Sequence, residues 1–217
     1  MKLFLAMALA ALGTAADAAS AEFDVTLAGL TLGRISIEAA SADVTLRSTL
    51  DNTPLGVGDG QFVATSTGGK YYRGVETSPG ETRAIEIEYD GPRVARVAVS
   101  PESEATDASD PAAVPPGTSD PARGFARIAL ARDCVDPYRI YDGRRVVTIS
   151  PTTRTLTADG LVCEYAYTVT VGPGHLSPLR FRRVAVSAIY AVSNGAVSGI
   201  REIGLGAGPF TVRLLQR

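Results

Sequence analysis

The chain reads as a mainly β protein, a single domain in which a strongly curved antiparallel sheet wraps over one short α-helix. Three observations predict this. From Phe23 to Val99 apolar residues recur with period two, and no helical period intervenes. Turns rich in glycine, proline and aspartate break that run at hairpin intervals. Only Ala122 to Leu130 has the spacing of a helix, and its apolar face needs a surface that a curved or folded sheet built from the rest of the chain would supply.

Phe23, Val25 and Leu27 alternate with Asp24, Thr26 and Ala28 to give a first strand with one apolar face, and Gly29 and Gly33 bracket the turn after it. Ile35, Ile37 and Ala39 carry the return strand, and Val44, Leu46, Ser48 and Leu50 a third. Residues 52–60 are loop chemistry. Strands follow at Gln61–Thr65, Tyr71–Glu76, Ala84–Tyr89 and Arg93–Val99, so the first half is a meander. Ser100 to Thr118 is rich in Pro, Ser and Ala and lacks an apolar period; it reads as a solvated connector, though loops this long are often mobile or functional.

The helix has agreeing start signals. Ser119 and Asp120 suit the cap, and Pro121 suits the first turn, where its missing N–H costs nothing. Ala122, Phe125, Ala126, Ala129 and Leu130 then form a stripe that Ile128 widens. Beyond Cys134, the runs Tyr138–Tyr141 and Arg144–Ile149 flank Asp142-Gly143, a strong hairpin signal, and Asp159-Gly160 precedes a further strand through Cys163. More strands are expected at Tyr165–Val171, Leu179–Val192, Val197–Ile203 and Phe210–Leu215, roughly a dozen in all.

Residues 1–21 have the plan of a secretory signal peptide: Lys2, an apolar run from Leu3 to Leu12 too short to cross a bilayer, and small-residue cleavage sites after Ala18 or Ala21. No later stretch approaches the length of a membrane span, so the expected product is a periplasmic or secreted domain of residues 22–217 without a transmembrane anchor. The two cysteines, Cys134 and Cys163, suit pairing in an oxidising compartment. A bridge closing a loop of about thirty residues would contribute about 3 to 4 kcal/mol by restricting the unfolded chain. The formal net charge is -2, which offers no basic excess for nucleic acid.

The catalytic inventory is thin. His175 is the only histidine and lies in a Gly-Pro loop, where surface exposure is the default reading. Ser193-Asn194-Gly195 lacks the strand–turn–helix context and following base of a nucleophile elbow and reads as a hairpin turn. Residues 204–208 precede a strand rather than a helix, so their glycines form no phosphate loop. No cofactor or metal site is expected.

Phe23-Asp24-Val25 with Gly29-Leu30 and Gly33, then Gly117-Thr118-Ser119-Asp120-Pro121, Cys134, Tyr141-Asp142-Gly143-Arg144-Arg145 and Gly160-Leu161-Val162-Cys163, taken in order, resemble the DUF3108 family of exported bacterial proteins. That resemblance implies a half-barrel or β-spiral sheet around a helix, similar in plan to the lipoprotein carriers LolA and LolB and to β-spiral envelope proteins of α-proteobacteria. It implies no assigned activity. The chain departs from the family pattern in having Phe23 where tyrosine is commoner, and an alanine-rich helix.

The functional expectation is a non-catalytic protein of the cell envelope whose helix–sheet groove takes a lipid or another hydrophobic small molecule. Phe125, Ala129 and Leu130 would line the groove from the helix, with Leu27 and Ile37 opposite, although the same residues also suit plain core packing. Arg144, Arg145, Arg180 and Arg182 are the basic groups able to hold an anionic head, or simply to face solvent on exposed strands. The alternatives are an interaction module that docks an envelope protein through the long loop and free strand edges, and, third, an unidentified hydrolase.

Overall fold

A computed structural model describes residues 18–53, 59–157, 160–175 and 180–217. The expectations for residues 1–17, for the middle of the loop at 52–60, for Asp159 and for residues 176–179 lie outside the described residues. Seven strands come first: β1 (Ala19–Leu27), β2 (Leu30–Ala40), β3 (Asp43–Leu50), β4 (Gly60–Thr67), β5 (Tyr71–Ser78), β6 (Glu81–Asp90) and β7 (Arg93–Ser100). The short β8 (Thr118–Ser119) leads into helix α1 (Pro121–Ala129). After it come β9 (Tyr138–Tyr141), β10 (Val146–Thr157), β11 (Gly160–Val171), β12 (Arg183–Ser193), β13 (Ala196–Ala207) and β14 (Phe210–Gln216).

All of them join one 14-stranded sheet in the order β7-β6-β5-β4-β3-β2-β1-β14-β13-β12-β11-β10-β9-β8. Two meanders therefore meet where β1 pairs with β14, with Phe23 opposite Gln216 and Leu27 opposite Val212. Apart from the short parallel pairing of β8 with β9, the described ladders are antiparallel. The sheet curls almost into a closed barrel around α1, which packs against β2, β3, β4 and β9. This is the mainly β, single-helix architecture that the period-two pattern predicts.

The helix forms where its signals place it. The Asp120 carboxylate accepts from the Arg123 amide at 2.9 Å, and Pro121 fills the first turn. Ala122, Gly124, Ile128 and Ala129 are buried. Gly124 sits so close to β9 that an added Cβ would stand 2.6 Å from the Ile140 side chain. Buried tyrosines then fasten the helix to the sheet: the Tyr138 hydroxyl donates to the Gly124 carbonyl at 2.8 Å and the Tyr190 hydroxyl to the Ile128 carbonyl at 2.9 Å. The bond to Ile128 supplements the Ala131 amide, 3.3 Å from the same last-turn carbonyl.

Two local readings change. The connector after β7 is an ordered strap of three 3₁₀ turns, Glu102–Glu104, Asp107–Ser109 and Pro111–Ala113, laid across the seam between the sheet's two free edges. Ala108, in its second turn, is fully buried, and its carbonyl accepts from the Tyr141 hydroxyl at 2.7 Å. Thr106 and Ser109 donate to the Arg144 and Gly143 carbonyls at 2.7 and 2.8 Å, and the Gly117 amide donates to the Pro92 carbonyl at 2.7 Å. These polar side chains satisfy a backbone turn, which composition alone cannot distinguish from facing water.

The second change is at Asp142-Gly143, where the hairpin pairs Tyr141 with Val146 and so holds Arg144 and Arg145 in the turn rather than the strand. The Asp142 carboxylate accepts from both the Arg144 and Arg145 amides, at 2.9 and 2.8 Å, and outcompetes the ladder for them.

Cys134 and Cys163 are joined in a disulfide that ties the segment after α1 to β11. Among the described residues no helix is long and apolar enough to cross a membrane.

Candidate functional site

Between α1 and the inner face of the sheet lies a cavity of about 460 Å³, within the range typical of small-molecule sites. Its walls are apolar. Phe125 and Ile128 come from the helix, Phe62 and Ile85 from β4 and β6, and Ile149 and Ile203 from β10 and β13. Phe125 is steadied by an edge-on contact with the fully buried Phe23, ring centroids 6.0 Å apart. Small residues on the helix, Ala122 and Gly124 among them, bring its backbone close to the sheet on one side.

One end of the cavity is polar. Asp142, Arg144, Arg145, Tyr167 and His175 gather there, with Glu76 nearby. The Asx-type turn of Asp142 aims Arg145 inward, where only 8% of the residue is exposed. Arg145 Nε lies 3.0 Å from Asp142 Oδ2, an ion pair by distance, yet that N–H has no hydrogen bond. Arg145 Nη1 lies 2.8 Å from His175 Nδ1, and the other ring nitrogen of His175 is hydrogen-bonded to the Tyr167 hydroxyl. Arg144 pairs instead with Glu104 of the strap, 2.7 Å away.

Gly172 lets the chain leave β11 beside this turn: its φ is +82°, which favours glycine, and a Cβ there would stand 2.4 Å from the Arg144 carbonyl oxygen. Reciprocal backbone bonds of 2.8 Å between His175 and Phe181 then fix the histidine over the cavity.

The electrostatics follow from burial. Desolvation, and then the Arg145 charge, lower the His175 pKa from 6.5 to about 4, so the ring is neutral at pH 7. Desolvation raises the Tyr167 pKa, and the phenol stays protonated. Asp142 is raised by desolvation against the pull of Arg145. The cluster thus sets a neutral histidine and a protonated phenol beside the Arg145–Asp142 ion pair.

The sequence-predicted residues divide among several places. Phe125, Arg144 and Arg145 line the cavity. Ile37 is fully buried in the core and Leu27 is packed against it, but neither lines the cavity. Ala129 and Leu130 border a separate cleft at the C-terminal end of α1, with Ala18–Ala21 beside them. Arg180 and Arg182 do not share a strand face, because β12 begins at Arg183 and Arg180 has a φ of +49°. Arg182 is used up on the backbone, donating to the Gly172 and Val169 carbonyls at 2.9 and 3.0 Å.

Sequence reasoning missed Tyr167 and misplaced His175, which is half-buried and hydrogen-bonded rather than exposed in its loop. The usable signal was a lone histidine eight residues from a strand tyrosine. A broader recess of about 820 Å³ over β11–β13 is more open and floored by Ala166, Ala185, Ser187, Gly204 and Gly206, so the helix–sheet cavity is the better candidate. No group of three or more metal-ligating side chains occurs among the described residues.

No family model matches the chain, and neither the curated proteins nor the solved structures contain a significant match. Fold and site define a nearly closed β-sheet wrapped on a helix, with an apolar cavity capped by the buried Arg145 and its neighbours Asp142, Tyr167 and His175.

Proposed function

We propose that the protein is a non-catalytic component of the bacterial cell envelope, of the DUF3108 kind, that holds an acyl chain or another apolar small molecule in the helix–sheet cavity. The observation that carries this reading is the cavity itself: about 460 Å³ of mainly apolar wall closing on one polar end. The disulfide supports an exported location, because such bonds persist in oxidising compartments. The signal-peptide reading accords with β1, which begins at Ala19 and buries Ala21; cleavage after Ala18 would leave that strand whole.

The interaction-module reading draws less support, since the long loop spends its polar groups on its own fold. A hydrolase draws least, as the single histidine is bound on both ring nitrogens, one of them to a phenol and the other to a guanidinium.

Native mass spectrometry of protein purified from the periplasm without detergent tests the proposal. The expected spectrum shows a reproducible adduct of acyl-lipid mass, or uptake of an added decanoyl compound. A bare chain that takes up no such compound overturns it.

A further inference from the structure

The polar end of the cavity keeps donors that its own acceptors do not engage. A guanidinium only donates, so the contact from Arg145 Nη1 makes His175 Nδ1 the acceptor and places the ring proton on Nε2. Nε2–H must then donate to the Tyr167 oxygen, which leaves the phenolic proton of Tyr167 unengaged among the described residues. Arg145 is in the same position. Its Nε is enclosed beside Asp142, whose Oδ2 lies 3.0 Å away, but its Nη2 has no hydrogen-bond partner among the described residues, and the residue is 8% exposed. Buried donors of this kind are normally matched, and these border a cavity.

Charge selects what would match them. Asp142 already faces Arg145 at 3.0 Å, Glu104 holds Arg144 at 2.7 Å, Glu76 adds a further negative charge to the lining, and His175 is neutral. There is no surplus positive charge. A carboxylate entering here would shed its hydration without gaining a counter-ion, whereas an uncharged carbonyl asks only for donors.

We infer that the cavity takes an uncharged acyl ester, whose oxygens accept from Arg145 Nη2 and the Tyr167 hydroxyl while the chain lies along Phe125, Ile128, Ile149 and Ile203. The inference rests on the proposed role as an acyl-binding protein and narrows its ligand class.

The test compares methyl decanoate with decanoate at pH 8 by titration calorimetry on the folded, disulfide-bonded protein, and records the infrared stretch of a ¹³C-carbonyl ester in the bound state. The ester is expected to bind about tenfold or more tightly than the acid anion. Its carbonyl stretch falls below the value in alkane. Tyr167→Phe moves the stretch back toward that value without a matching loss of thermal stability. Decanoate binding as tightly as the ester, or a bound carbonyl stretch equal to that in alkane, overturns the inference and leaves the acyl-binding reading in place. Binding of neither compound overturns both.

Discussion

Asp120 and Asp142 are two aspartates at the start of two turns, and burial pushes both carboxyls toward the neutral form. At Asp120 every demand is met locally: Oδ1 accepts from the Arg123 amide at 2.9 Å and Oδ2 from the Ser66 hydroxyl at 2.7 Å. That carboxylate joins the helix start to β4 and is 2% exposed. Asp142 also captures two amides, but its second oxygen faces Arg145, which lines the cavity with its Nη2 unmatched among the described residues. The contrast separates scaffold from site. A buried polar group with a full set of partners rigidifies a fold, and one whose partner still has donors to spare marks where a ligand belongs.

The largest effect should come from Asp142→Ala. It strips Arg145 of its counter-ion and frees two turn amides, costing about 3 kcal/mol in urea unfolding and abolishing ester uptake. Asp120→Ala should cost about 2 kcal/mol, from the lost cap and the orphaned Ser66 hydroxyl, while ligand affinity is retained. Equal loss of binding in the two variants would break the comparison.

The asparagine replacements sharpen it further. Asp120→Asn keeps a capping side chain and removes a desolvated charge, so its stability at pH 7 should stay within about 1 kcal/mol of the parent. Asp142→Asn leaves the guanidinium uncompensated and should cost about 2 kcal/mol.

The smallest effect is the pH response of His175. Its folded pKa of about 4 lies below the unfolded value of 6.5, so between these pH values the unfolded chain binds the extra proton. The histidine's contribution to stability is therefore complete above pH 6.5 and fades as pH falls toward 4, by a modest amount because the ring is half-buried. Thermal melts across that window should show a shallower slope for His175→Gln, and NMR titration of the ring reads the folded pKa directly. A ring that titrates at or above 6.5 would contradict the buried donor chain.

Local signals made much of the frame legible. Asp120, Pro121 and the stripe behind them fixed the helix, since cap, ring and spacing are all properties of adjacent residues. Asn194-Gly195 turned β12 into β13 as its dipeptide demands, with φ of +54° and +76°. The strap was not legible, because Thr106 and Ser109 satisfy carbonyls more than thirty residues away and nothing in a polar, proline-rich run announces its acceptor. The site was legible only in part. Phe125 and Arg145 could be named, but Arg145 meets His175 through a turn whose geometry depends on Asp142 outcompeting the strand ladder. Leu27 and Ile37 share the apolar face that suggested them; the path of the sheet, not their chemistry, keeps them off the cavity wall.

The joint between β1 and β14 also dictates an order of events. Each meander is assembled from neighbouring hairpins that form from nearby residues, whereas Val25 meets Leu214 only after the chain between them has been arranged. Contacts so distant along the chain are entropically expensive to close and slow folding. Until β14 arrives, β1 and β13 each present an unpaired edge that invites wrong partners. Completion of the sheet therefore waits on the last strand, and until then the two meanders are joined only through the chain between them.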